Sequence, residues 1–229
     1  MAEKCSKCGA KSVYVDKHSG IKLCTSHLRQ YTECRIRRTI GKYRQLTETD
    51  HTILYLCRRE DIAKLLTLNR IEKEFPAAKL EAIISTSIND LERICNEYNI
   101  KLSRVDISSI SIIHAIKSLH KTSRILHTTK LALPLTITDI SNLLLWHTFN
   151  QINPVKLLKL INSNEIISPF METSKDIWEV LSPKSETNAY CVLDPPKWFT
   201  EATEALGSAY PGADFNILRS FEKLADGKN

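Results

Sequence analysis

The chain has 229 residues, 42% of them hydrophobic and 25% charged, with a formal net charge of +6. That length holds one large domain with a small module attached, and the apolar share allows a real core. No run approaches the ~18 apolar residues of a membrane span, and metal-ligand residue types stand where a signal peptide would be apolar, so a soluble cytoplasmic protein without a membrane partner is expected.

The first element is an array of Cys5, Cys8, Cys24 and His27, a C-x2-C and a C-x2-H separated by fifteen residues. Zn²⁺ takes four N/S ligands in a tetrahedron, and two short pairs joined by a loop supply them without strain. Gly9 suits a tight turn after the first pair. Ser12 to Val15 alternate toward the turn signal His18-Ser19-Gly20, and Lys22-Leu23 leads back to the second pair. The expectation is a zinc-knuckle module over residues 1–30.

A basic helix should follow over residues 31–46. Arg29, Arg35, Arg37, Arg38, Lys42 and Arg44 are interleaved with Leu28, Tyr31, Ile36, Ile40 and Tyr43, spaced to share one side of a helix. Residues 1–44 carry eleven Lys or Arg against three acids, leaving twenty-one against twenty-three in the rest. Polyanions are gripped chiefly by neutralising phosphates, so the six basic residues are candidates for binding RNA.

Residues 47–229 alternate between strand and helix patterns. Thr52 to Cys57 reads as a strand, and a helix follows through Ile62, Leu65, Leu66 and Leu68. Leu80 to Ser85 is a strand, and Ser87 or Asn89 caps a helix through Leu91, Ile94 and Tyr98. Lys101 to Ile107 is a third strand, Ile110 to His120 a helix, Ile125 to Leu133 a strand, and Thr138-Asp139 opens a helix to Phe149. Pro154 starts a short helix to Ile161, Glu165 to Phe170 reads as a strand, and Ser174 caps a helix through Leu181. A last helix spans Lys197 to Ala209. This alternation predicts an α/β fold with a doubly wound parallel sheet covered on both faces.

Cys34, Cys57, Cys95 and Cys191 show no disulfide spacing and read as buried thiols in a reducing compartment. Cys191 precedes a Pro195-Pro196 loop that suits a reactive thiol, whereas Val192 and Leu193 suit a buried one. Asp106, His114, His120 and His127 are tied to no nucleophile by spacing. Trp146, Trp178 and Trp198 lie in helical contexts and read as packing residues rather than base-stacking platforms.

In doubly wound sheets the turn after the first strand commonly cradles phosphate with bare backbone N–H groups. Here it reads Cys57-Arg58-Arg59-Glu60-Asp61-Ile62, without a glycine. Arg58 and Arg59 suit a lone phosphate or an RNA backbone, but pairing with Glu60 and Asp61 would close the pocket.

The opening C-x2-C-G, Leu23-Cys24-x2-His27 and Arg35-x-Arg37-Arg38-Thr39-Ile40-x-Lys42-Tyr43 resemble the start of the ATP-dependent tRNA 2-thiolation (thiouridine synthetase) enzymes of the PP-loop superfamily. The resemblance continues through Ile166 to Phe170, Glu172, Trp178, the late Cys191, Pro211-Gly212 and Asn216 to Leu224. It implies a PP-loop, adenine nucleotide hydrolase-like, Rossmann-like domain over residues 47–229.

The departures are equally specific. The family's Ser-Gly-Gly-Lys-Asp-Ser keeps only Asp61. Its central Cys-x-x-Cys has no counterpart between Ser103 and Phe149, its Gly-His-Asn segment is replaced by Leu133-Pro134-Leu135, and no counterpart of its C-terminal zinc module follows. One late thiolate cannot hold a cubane. The expected cofactors are therefore zinc, with no iron–sulfur cluster and no ATP. The expected role is a pseudoenzyme with no catalytic residue, a tRNA-binding subunit associated with an active paralogue or with a second copy of itself. The alternatives are an active tRNA sulfurtransferase with a rearranged site, and a regulatory scaffold that binds no RNA.

Overall fold

The computed structural model describes residues 3–16, 19–85, 88, 90–107, 111–182, 191–210 and 212–227. Near the N-terminus, β1 (Tyr14–Val15) and β2 (Lys22–Leu23) pair antiparallel, with Tyr14 opposite Leu23. They lead into α1 (Thr25–Tyr43), which buries Leu28, Thr32, Ile36 and Thr39 and ends on Arg44 in the left-handed region. The hairpin and helix share a small core of Tyr14, Leu23, Leu28 and Ile177.

Five parallel strands follow: β3 (His51–Leu56), β4 (Lys79–Ile84), β5 (Lys101–Arg104), β6 (Lys130–Ala132) and β7 (Ile166–Ile167), in the order β5-β4-β3-β6-β7. The connecting helices are α2 (Asp61–Glu72), α3 (Leu91–Tyr98), α4 (Ile112–Ile125), α5 (Ile137–Phe149) and α6 (Pro154–Ile161). Beyond the sheet lie α7 (Lys175–Leu181), α8 (Lys197–Ala209) and α9 (Ala213–Ala225). Strand order reverses between β3 and β6, which makes their carboxyl ends the switch point where such sheets place ligands.

Side chains alternate across a strand, so β3 divides the core. Ile53 and Tyr55 face α4, α5, α6 and α9. Leu54 and Leu56 face α1, α2, α3 and Trp178 of α7. The parallel sheet covered on both faces is thus as expected.

Several boundaries differ. Ile125 belongs to α4, and His127, at φ 56, turns the chain before β6, so that strand keeps three residues. The strand at Lys101 ends at Arg104, and the one near Glu165 is only Ile166–Ile167, because Ser168 to Thr173 fold back in turns. Ser174 stands at the start of α7 without capping it by a side-chain hydrogen bond. The cap assigned to Ser87 or Asn89, the helix start at Ile110, and the turn residues His18 and Pro211 lie outside the described residues.

Candidate functional site

Four ligand atoms converge at the N-terminal hairpin. Those of Cys5, Cys8, Cys24 and His27 all lie within 4.8 Å of one another. Cys5 Sγ is 3.5 Å and Cys24 Sγ 3.4 Å from His27 Nδ1, and the Cys8 and Cys24 sulfurs are 3.7 Å apart. A tetrahedral Zn²⁺ with Zn–S near 2.3 Å requires sulfur–sulfur edges of about 3.8 Å, so the set fits a single such ion. Burial works against the Cys5 thiolate, but backbone N–H groups of Cys24, Lys7 and Cys8 outweigh it and bring its pKa down to about 6.

At the switch point, the turn after β3 is organised by Asp61. Its Oδ2 accepts the backbone N–H groups of Cys57 and Arg58 at 2.9 and 2.8 Å. Its Oδ1 accepts Lys64 Nζ at 2.9 Å, and the same ammonium donates to the Pro134 carbonyl at 2.6 Å. Asp61 is fully buried and Lys64 is 1% exposed. Two backbone amides of the turn and its nearest ammonium are therefore committed to an internal carboxylate.

Arg58 does not pair with Glu60 or Asp61, as the sequence suggested. It reaches out of the turn to Asp139 Oδ1 at 2.9 Å and to both carboxylate oxygens of Asp194. Burial opposes the guanidinium's charge, but Asp139 and Asp194 more than compensate and hold its pKa well above the ordinary value. The two acids differ. Burial raises both, yet Arg58, Lys64 and the Thr136 backbone bring Asp139 below the usual carboxylate range, whereas burial and the neighbouring Asp139 and Asp61 leave Asp194 above it despite Arg58. Asp139 is fixed by a capping box at the start of α5. Its N–H donates to Thr136 Oγ1 at 3.3 Å, and its carboxylate accepts the Thr136 N–H at 2.8 Å.

A cleft of about 540 Å³ opens beyond this turn, lined among others by Arg58, Arg59, Asp139, Lys175, Asp194 and Glu204. Arg58 is paired as above, Lys175 pairs with Glu204 at 2.9 Å and Lys197 with Glu201 at 3.5 Å.

Cys57 and Cys191 form a disulfide across 134 residues, with their Cα atoms 5.1 Å apart. This corrects the expectation of four unlinked buried thiols. The Cys191 sulfur is fully buried and bonded to Cys57. Of the others, Cys95 is buried but Cys34 is exposed. Sequence spacing could not show the bond, because only the tertiary fold brings residues 57 and 191 together. Lys64 and Asp194 were missed as site residues. The available signal for Lys64 was a lysine inside Ile62-Ala63-Lys64-Leu65-Leu66, on a helix with almost no solvent face.

The basic residues of α1 divide between its two sides. At roughly 100° per residue, Arg29 and Arg37 fall on one side and Arg35, Arg38 and Lys42 opposite them, while Arg44 lies just past the helix end. Arg37 pairs with Glu33 and Glu74 at 2.9 and 2.7 Å, Lys42 pairs with Glu172 at 2.7 Å, and Arg35 donates to the Glu172 carbonyl at 3.1 Å. Arg29, Arg38 and Arg44 are exposed, with no ion pair among the described residues. Of the tryptophans, Trp178 is a fully buried core residue, whereas Trp198 is 56% exposed in a cluster with Trp146, Phe149 and Phe199.

No family model matches the chain, and no curated protein matches it. Among solved structures, it superposes on the U34-tRNA thiolase NcsA from Methanococcus maripaludis with its [4Fe-4S] cluster, with a TM-score of 0.79 and 21% identity over 97% of this chain and 87% of that one. The chain has the fold of a tRNA thiolase. An NH3-dependent NAD synthetase from Campylobacter jejuni subsp. jejuni NCTC 11168, in complex with the nitrate ion, matches over 90% of this chain and 93% of that one at 13% identity and a TM-score of 0.42, too distant to carry weight.

The thiolase comparison bears on the cofactor expectation. The sequence reading excluded an iron–sulfur cluster because a single late thiolate remained. The similar structure carries a [4Fe-4S] cluster, this chain has a cysteine-rich ligand set at Cys5, Cys8, Cys24 and His27, and Cys191 has a second sulfur, Cys57, beside it. The exclusion does not stand. No helix among the described residues is long and apolar enough to cross a membrane.

Proposed function

We propose that this chain is a non-catalytic, tRNA-binding relative of the tRNA thiolation enzymes, working in the cytoplasm beside an active paralogue or as a homodimer. The observation that carries this reading is the occupancy of the turn after β3. Arg58, which stands where the resembled loop has a glycine, is bound between Asp139 and Asp194, and Lys64 is bound to Asp61. A reaction that activates a uridine on a phosphoryl donor needs those donors free to meet developing charge. Here each already holds a buried partner. The likeness in fold to a tRNA thiolase supports tRNA as the bound RNA.

In this proposal residues 1–30 form the metal module, 31–46 the basic helix and 47–229 the α/β domain. Cys5, Cys8, Cys24 and His27 hold one zinc ion that fixes the hairpin against α1. Arg29, Arg38 and Arg44 supply the phosphate contacts of α1, while Arg35, Arg37 and Lys42 chiefly anchor the helix to the body. The test is tRNA binding across a salt series. Affinity should fall steeply with salt, and Arg29→Glu/Arg38→Glu/Arg44→Glu should weaken it at least tenfold. Absence of binding would favour a scaffold that meets no RNA, and salt-insensitive binding would remove the phosphate contacts assigned to α1.

One observation favours a second reading. Cys57 and Cys191 place two buried sulfurs at the end of β3, next to Arg58, where an enzyme with a rearranged site could use them once reduced and uncovered. tRNA-dependent conversion of ATP to AMP under reducing conditions, abolished by Cys191→Ala, would establish that reading and displace the first.

A further inference from the structure

The positive charge of this protein has a second centre that the net count conceals. Between Asp106 and Asp139 the chain contains no acidic residue, while Lys117, Lys121, Arg124 and Lys130 lie there together with His114, His120 and His127. Most of this stretch is α4. Its Ala115, Ile116 and Leu119 are buried against Ile53, Tyr55 and Leu131, which turns the opposite side of the helix outward. Lys117, Lys121 and Arg124 are exposed there, without an ion pair among the described residues, and with His120 and Ile125 they line a shallow depression. One acid stands at its rim, Glu165, which pairs with His120 at 2.7 Å.

We infer that this face of α4 is a docking surface for an RNA phosphate backbone, separate from α1. The three cations recur at i, i+4 and i+7, so they form one row about 10 Å long. A nucleic-acid strand spaced at about 3.4 Å per phosphate along a duplex axis presents about three phosphates over that length. A membrane surface fits less well, because a helix lying in a bilayer interface needs an exposed apolar face, and the apolar face of α4 is built into the core. α1 packs on the other side of the sheet, so the two basic surfaces are independent contacts.

The inference rests on the reading of the chain as a tRNA binder, and one experiment separates the two. tRNA binding is measured by fluorescence anisotropy across a salt series for the full chain, for Lys117→Gln/Lys121→Gln/Arg124→Gln, and for Arg29→Gln/Arg38→Gln/Arg44→Gln. All six positions are solvent-facing, so both variants should keep the fold, which circular dichroism checks. The α4 variant should lose at least tenfold in affinity near 0.15 M salt and flatten the log–log salt slope by about 2, and its effect should add to that of the α1 variant. If the parent chain binds tRNA and the α4 variant binds with the same affinity and slope, the α4 surface is overturned while the tRNA reading survives. If the parent chain does not bind tRNA, the tRNA reading itself falls and takes this inference with it. Unchanged tRNA binding together with loss of an acidic protein that co-purifies with the parent chain would reassign α4 to protein docking.

Discussion

Asp61 closes the turn after β3 from within, and its partner Lys64 is what makes a fully buried carboxylate tolerable. Removing one member of such a pair leaves an uncompensated buried charge, so Lys64→Met should destabilise the protein by about 3–5 kcal/mol in urea unfolding. Asp61→Asn/Lys64→Met should lose clearly less than the sum of the two single changes; strict additivity would mean the pair is not coupled. A second buried acid behaves oppositely. Glu72 is 7% exposed, and neither carboxylate oxygen has a hydrogen bond among the described residues. Burial pushes its pKa up to about 8, with the nearby Thr52 hydroxyl offsetting part of the rise and Asp50 adding to it. Because the folded value lies above the ordinary one, the folded state binds the extra proton. The neutral carboxyl's contribution is fully present below the usual carboxylate pKa and is lost as pH rises through about 8. Unfolding at pH 5, 7 and 9 should therefore show Glu72→Gln gaining on the parent chain as pH rises, by a few kcal/mol at most; a difference that ignores pH would remove the assignment. At this scale Asp61 was legible, since it alone matches the loop of the family that the sequence resembles. Lys64 and Asp194 were not, because a buried ion pair is written in three-dimensional proximity and leaves only an odd charge in an apolar segment.

The start of α5 shows how one element serves both fold and site. Thr136 and Asp139 cap the helix reciprocally, and the same Asp139 carboxylate holds Arg58. Thr136→Ala should cost about 0.5–2 kcal/mol as a lost cap. The sequence reading began this helix at Thr138-Asp139, two residues late, because the Thr-x-x-Asp spacing is a weaker signal than the usual Glu or Gln. Strand order and helix order were otherwise legible from apolar runs of strand length alternating with helical spacing. The ends of β5, β6 and β7 were not, since apolar residues continue past the point where turns stop the ladder. The Cys57–Cys191 bond also belongs to this scale, because it ties the end of β3 to the segment before α8. Thiol titration in denaturant with chelator should find five free thiols before reduction and seven after. Seven before reduction would mean that the purified protein holds the two as a dithiol.

Across the whole molecule, charge is organised by surface more than by segment. The count over residues 1–44 drew attention to α1, but half of its six basic side chains are engaged by the protein itself, while the acid-free α4 lies in the segment whose total is slightly negative. The N-terminal ligand set was legible because metal geometry constrains spacing. Elemental analysis should find one zinc per chain, retained until a chelator removes it together with the order of the hairpin; iron and sulfide instead would assign the cysteine-rich set to a cluster. The filled turn at the switch point is the feature on which the functional account depends, and turnover tests it most directly. With tRNA, ATP and a sulfide source supplied under reducing conditions, a non-catalytic chain yields neither thiouridine in the tRNA nor tRNA-dependent AMP above background, even where tRNA is bound. Thiouridine formation that Asp61→Ala abolishes would contradict it.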